Sequence, residues 1–179
     1  MTVGVVRLSA SGGPIGEVGV HSLFPAFGES AFPFVCASPN GKVAIVYTVL
    51  QDALSSYATK SFGTNATYAD LTSEIAEGAS VVAASLSNSG ALVDYALVQS
   101  GPGKILGTSC GVDDAGAVVV AGLTEGTTIE AQNSLAGASL TGAFTFSGNE
   151  TLGWLATFNA VMAPIAIGAT GTSGSGNKG

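Results

Sequence analysis

Two stretches of the chain decide its fold: Cys110-Gly-Val-Asp-Asp-Ala-Gly-Ala-Val-Val-Val-Ala-Gly-Leu-Thr124 and Cys36-Ala-Ser-Pro-Asn-Gly-Lys-Val-Ala-Ile-Val-Tyr-Thr48. Each contains a strand end, a polar turn with a glycine, and a run of small and β-branched residues. This is the local pattern of a β-hairpin. The two cysteines are 74 residues apart, and aligning them leaves one extra residue in one of the turns. A duplicated hairpin predicts a repeat protein built from sheets.

Further markers recur in the same order. Arg7-Leu-Ser-Ala-Ser-Gly-Gly-Pro-Ile15 matches Ser85-Leu-Ser-Asn-Ser-Gly-Ala-Leu-Val93, and Thr157-Phe-Asn-Ala-Val-Met-Ala-Pro-Ile165 starts in the same way. We therefore predict an all-β fold of two tandem antiparallel-sheet repeats of about 75 residues. The repeats would be propeller-blade-like or form a sandwich, and oligomerisation could complete them. The predicted units are repeat 1 (1–78), repeat 2 (79–153), a partial third repeat or closing strand (154–170) and a Gly/Ser-rich tail (171–179).

The order of elements in each unit resembles the bacterial β-propeller repeat often called SBBP. The matching pieces are Val5-Val-Arg-Leu-Ser-Ala-Ser-Gly12, both halves of the 110–124 hairpin, and Trp154-Leu-Ala-Thr-Phe-Asn159. The units are longer than the family's usual blade, and a propeller needs at least four blades. The resemblance thus implies either that several chains complete a ring or that the units form a sandwich or another stack.

The composition indicates self-association. Only 9% of the residues are charged, against about 25% in typical soluble domains, while 46% are hydrophobic. Because so few charges give little electrostatic repulsion between copies of the chain, we expect neighbouring copies to cover much of its surface. The alternative is a monomer whose surface is rich in Ser, Thr and Asn.

The charge pattern also excludes several partners. The net charge is −7, and the five basic residues are spread singly along the chain, which argues against nucleic acid and anionic membranes. No apolar run is long enough to span a bilayer as a helix. The amino terminus lacks the pattern of a signal peptide, which favours virion or cytoplasmic assembly over an extracellular surface.

Residues able to carry chemistry are few. His21 is the single histidine and has no partner at metal-binding spacing, and Asp113-Asp114 fits turn chemistry better than a calcium site. We predict no catalytic residue, no cofactor and no metal. Cys36 and Cys110 remain open between buried free thiols, a disulfide across a pseudo-twofold axis, and reactive groups. Residues 67–78 carry the chain's one helix-like pattern, with a capping signal and a terminal glycine.

The arrangement of strands gives two further expectations. Residues 43–46 and 118–120 are predicted to be equivalent central strands buried on both faces, because both are continuous apolar runs. Two repeats would leave open sheet edges at both ends of the chain, where a neighbouring copy could add a strand. The predicted assembly edge consists of Val3, Val5, Arg7, Trp154, Ala156 and Phe158.

These features favour a non-catalytic, self-assembling structural protein, such as a virion component, a filament subunit or a surface-lattice subunit. Its partners would be copies of itself, and other structural proteins or a glycan are further options. The alternative is an oligomeric, propeller-like module that binds carbohydrate or another ligand. Sugar-binding propellers repeat aromatic residues at equivalent positions. Here Tyr47 corresponds to Ala121, and Trp154 has no aromatic counterpart. An enzyme ranks third.

Overall fold

A computed structural model describes residues 2–5, 8–13, 19–22, 33–50, 79–86, 92–101, 104–133, 139–143 and 151–171. Within these ranges the chain forms β-strands and no helix. The strands are β1 (Thr2–Val5), β2 (Gly19–Ser22), β3 (Phe34–Ala37), β4 (Val43–Leu50), β5 (Ala79–Leu86), β6 (Leu92–Gly101), β7 (Ile105–Val112), β8 (Val118–Thr124), β9 (Thr128–Asn133), β10 (Ser139–Ala143), β11 (Leu152–Phe158) and β12 (Pro164–Gly171). The helix-like stretch 67–78 lies outside the described residues.

Two antiparallel sheets make up a sandwich. One has six strands in the order β10-β9-β6-β5-β4-β3, and the other has four in the order β12-β11-β8-β7. Strand β7 packs against β3, β4 and β5, and β12 packs against β9 and β10. Strands β1 and β2 form a separate antiparallel pair. The predicted all-β, antiparallel class is confirmed, in its sandwich form.

Neither sheet is confined to one predicted repeat. The six-stranded sheet joins β3 and β4 to four strands that follow residue 78, and the four-stranded sheet combines β7 and β8 with β11 and β12. The two predicted repeats therefore share one core. Residues 34–50 and 105–124 do form hairpins of the same kind, as their sequences indicate.

The core lies between the sheets and consists mostly of small and β-branched side chains. Its largest members are Trp154 and Phe158 on β11, which share the cluster with Ala44, Ala83 and Ala96 of the six-stranded sheet. Large side chains on one sheet thus offset small ones on the other, as close packing requires.

Glycines allow two close approaches in this core. A Cβ on Gly122 would lie 2.7 Å from Nε1 of Trp154, whose indole N–H donates to the Leu123 carbonyl at 3.1 Å. A Cβ on Gly107 would lie 2.9 Å from Cγ1 of Val81. The backbone N–H of Gly107 instead donates to Oγ1 of Thr48 at 3.0 Å, which links the two sheets.

The prediction of strands buried on both faces holds for one hairpin and is wrong for the other. Consecutive residues from Ala44 to Tyr47 on β4 are all fully buried. On β8, Val119 is 38% exposed between the buried Val118 and Val120. The apolar run is continuous in both strands, but the outer face of the four-stranded sheet is open.

Candidate functional site

The predicted assembly edge is wrong for β11. This strand pairs with β8 on one side and with β12 on the other, so its backbone has no open edge. The side chains of Trp154, Ala156 and Phe158 are buried in the core. The strand that completes the sheet is β12 of the same chain, so the edge strands of this sheet are β12 and β7.

The amino-terminal half of the predicted edge lies on β1. Val3 pairs with His21 of β2, and Val5 pairs with Gly19, so one side of β1 is occupied within the chain. This pairing also places His21 in a strand. Arg7 lies outside the described residues. An assembly role for Val3 and Val5 remains a prediction.

The outer face of the four-stranded sheet is a feature that the sequence did not predict. We call it the open face. The register places these residues on it: Leu106, Ser109 and Gly111 of β7; Val119, Ala121 and Leu123 of β8; Gly153, Leu155 and Thr157 of β11; and Ala166, Gly168 and Thr170 of β12. None of them is charged. Two of its leucines are well exposed, Leu123 at 43% and Leu155 at 44%, and Leu106 is half-buried.

A small cavity lies at one end of this face. Ile105, Leu106 and Leu123 line its apolar side, and Lys104 and Glu125 lie at its rim. Its volume is about 140 Å³, well below the roughly 300 Å³ at which small-molecule sites begin. The cavity therefore does not make a ligand site.

The two cysteines form a disulfide, which settles the alternatives left open by the sequence. Their Cα atoms are 6.0 Å apart, within the usual range for a bridge. Cys36 lies on β3 and Cys110 on β7, which are edge strands of the two different sheets and contact each other across the sandwich. The bond therefore links the two layers at one side of the sandwich, and the chain has no free thiol.

The same five-residue turn recurs four times in the described residues, at 9–13, 38–42, 113–117 and 159–163. In each, the first N–H donates to the fifth carbonyl and the fourth N–H donates to the first carbonyl. The fourth residue has a positive φ, which favours glycine. It is Gly12, Gly41 and Gly116 in three turns and Met162, with φ of 57°, in the last.

Two of these turns correct the alignment of the hairpins. Ala37 pairs with Val43, and Val112 pairs with Val118, so turns 38–42 and 113–117 have equal length. No residue is inserted in either turn. The two cysteines instead occupy positions one residue out of step, and both of their side chains are half-buried.

The acidic pair in the second hairpin accepts hydrogen bonds from backbone N–H groups of the two turns. Oδ1 of Asp113 accepts from the Ala117 N–H at 2.8 Å, and Oδ1 of Asp114 accepts from the Asn40 N–H at 3.2 Å. The described residues contain no group of three potential metal ligands. Turn chemistry, the interpretation favoured by the sequence, accounts for both carboxylates.

One carboxylate is buried inside the sandwich. Both oxygens of Asp94 accept hydrogen bonds, from the Tyr95 N–H at 2.8 Å and from Nδ2 of Asn133 at 3.0 Å. The same amide nitrogen donates to the Val161 carbonyl at 2.7 Å. This network joins β6 and β9 to the turn at 159–163, and its two side chains are buried. Its hydrogen bonds therefore stabilise the contact between these strands and the turn.

Tyr47 is another buried ionisable group among the described residues. Burial, and to a smaller extent the neighbouring Tyr95, raises the pKa of its hydroxyl far above the usual value. The phenol therefore stays protonated at every physiological pH, and it cannot act as a base.

Comparisons with protein-family models, curated proteins and solved structures find no match to this chain. The resemblance to the β-propeller repeat thus rests on its sequence pieces alone. The described residues contain no helix that could cross a membrane.

Proposed function

We propose that this protein is a non-catalytic structural subunit that assembles with copies of itself, as a virion component, a filament subunit or a surface-lattice subunit. The observation that carries the proposal is the open face, where apolar side chains are exposed on a sheet without a charged residue. Exposed apolar patches of this kind mark interaction surfaces on soluble proteins.

The disulfide adds to the proposal. Bridges between cysteines persist mainly in oxidising surroundings, on cell surfaces, on virions and in secreted proteins. A Cys36–Cys110 bond therefore favours an assembly that meets such surroundings. It gives more weight to a particle or extracellular surface than the sequence did.

A sugar-binding module is the weaker candidate. Stacking on sugars needs accessible aromatic rings. In the described part of the chain, Tyr47, Tyr95, Trp154 and Phe158 are buried, and Phe34 packs against the core. This placement favours the structural role.

Sedimentation velocity tests the proposal. We expect species heavier than the 17.5 kDa chain, increasing as the concentration rises through about 1–200 µM. Negative-stain microscopy of the same samples would then distinguish filaments, lattices and closed rings. A single monomeric species over the whole concentration range would overturn the proposal.

A further inference from the structure

We propose that the open face is a self-complementary interface, on which a second copy packs its own open face about a twofold axis parallel to β8 and β11. The inference rests on the proposed function and names the surface that performs it. The occupant is a second copy of this chain because the face complements itself in shape and carries no charge that would select another partner.

The shape argument starts from the register of the two central strands. Leu123 pairs with Gly153, Ala121 with Leu155, and Val119 with Thr157. The first two of these pairs set a leucine beside a much smaller residue, whereas Val119 and Thr157 are similar in size. The larger member changes strand between the first pair and the second, so ridges and hollows alternate across the face.

With a twofold axis parallel to the strands, the ridges of one copy lie opposite the hollows of the other. The rotation leaves each residue's position along the strand direction unchanged, and it places β8 of one copy opposite β11 of the other. Leu155 then faces Ala121 of the partner subunit, and Gly153 faces Leu123 of the partner subunit. Both contacts occur twice, as in every interface of this symmetry.

The outer strands follow the same rule. The register aligns Ser109 with Ala121 on β7, and Gly168 with Leu155 on β12. The rotation places β7 of one copy opposite β12 of the other, so Ser109 meets Gly168. Small residues at these positions let two flat sheets approach to the roughly 10 Å spacing of packed sheets.

Charge and area define the strength of the contact. The chain carries −7, yet none of that charge lies on the open face, so stacking buries no ion. Four strands about 4.8 Å apart and about six residues long give a plane of about 400 Å² on each copy. This is about half of a standard interface, so the contact is weak by itself and suits an assembly that uses several contacts.

Paired variants test this interface. Val119→Glu puts a charge on the open face, and Val35→Glu makes the same change at a 57% exposed position of the six-stranded sheet. Sedimentation equilibrium should show self-association weakened at least tenfold for Val119→Glu and unchanged within about twofold for Val35→Glu. Circular dichroism and melting temperature of each variant establish that the fold is kept. If Val119→Glu does not fold, Thr157→Lys takes its place, since Thr157 is half-buried on the same face.

A mixing experiment tests the axis. In the proposed pair, position 119 of one copy faces position 157 of the other. Val119→Glu and Thr157→Lys should each associate poorly alone, whereas their mixture should recover at least part of the wild-type association through one Glu–Lys contact. No recovery on mixing would overturn the proposed axis.

The outcomes separate the two proposals. Wild-type protein that assembles while Val119→Glu and Thr157→Lys assemble equally well would overturn the interface and leave the structural role standing. Wild-type protein that stays monomeric at every concentration would overturn both.

Discussion

Met162 shows how one residue can occupy a strained position and still stabilise the fold. It adopts a positive φ where the other three turns have glycine, and its side chain is fully buried in the core. A left-handed conformation costs a non-glycine residue about 1 kcal/mol. Burying a methionine side chain stabilises by about 2–3 kcal/mol, so burial exceeds strain.

Substitutions at this position should separate the two effects. We expect Met162→Gly to lower the free energy of unfolding by about 2 kcal/mol, since it relieves the backbone but leaves a cavity. Met162→Leu keeps an apolar side chain of similar volume and should cost less than about 1.5 kcal/mol. Urea denaturation measures both. A Met162→Gly protein more stable than the wild type would show that backbone strain dominates.

Gly122 is a residue whose missing side chain is required. Its hypothetical Cβ would contact the Trp154 ring and the Leu106 carbonyl at distances that no rotamer change on Gly122 could relieve. We expect Gly122→Ala to destabilise the protein by about 1–3 kcal/mol through overpacking. Gly111→Ala is the control, since nothing lies within 4 Å of its hypothetical Cβ. Thermal melts measure the stability of both variants. Equal losses of stability in Gly122→Ala and Gly111→Ala would contradict this account.

At the scale of elements, the strand most dependent on a single bond is β3. It has four residues, it is the edge of its sheet, and it pairs only with β4. The Cys36–Cys110 bridge anchors it to β7 and closes a loop of 74 residues. Closing a loop of this length removes about 4 kcal/mol of unfolded-chain entropy in the simple polymer treatment.

Removing the bridge should therefore act both globally and locally. We expect Cys36→Ala combined with Cys110→Ala to lower the free energy of unfolding by about 2–4 kcal/mol. Amide hydrogen exchange should accelerate more on β3 than on β5, which is paired on both sides. Uniform acceleration of both strands would mean that the bridge stabilises only the whole molecule.

The elements also show how far the sequence could predict this fold. Glycine-containing turns followed by β-branched runs identified both hairpins, because this turn requires a positive φ near its end. The hairpin of β11 and β12 escaped prediction as a closing pair because Met162 stands where glycine would mark the turn. The exposure of Val119 could not be predicted either, since a β-branched run does not say which face of its sheet is covered.

The open face was out of reach for a related reason. Its residues come from four strands spread over residues 106–170, and only the register brings Leu155 beside Ala121. The sequence did carry one part of the signal, the scarcity of charge that led to the expectation of self-association. The prediction made from the sequence placed the contact between copies on a strand edge, whereas the interface that we propose lies on a sheet face.

At the scale of the whole molecule, net charge and interface chemistry act in opposite directions. Copies carrying −7 repel one another at a distance, while the open face adds no charge to the contact itself. Added salt screens the repulsion, since the screening length falls from about 20 Å at 20 mM to below 5 Å at 500 mM. Salt should leave the proposed apolar contact in place, and sulfate should strengthen it by being excluded from the protein surface.

Self-association should therefore become stronger as salt rises. We expect the association constant to increase by a few-fold between about 20 mM and 500 mM sodium chloride. Sodium sulfate at equal ionic strength should raise it further. Sedimentation equilibrium at fixed pH measures the association constant in both salt series. Val35→Glu is the matched control, because it adds one negative charge outside the open face. An interface built from ion pairs would respond in the opposite way, so dissociation by sodium chloride would contradict assembly through an uncharged sheet face.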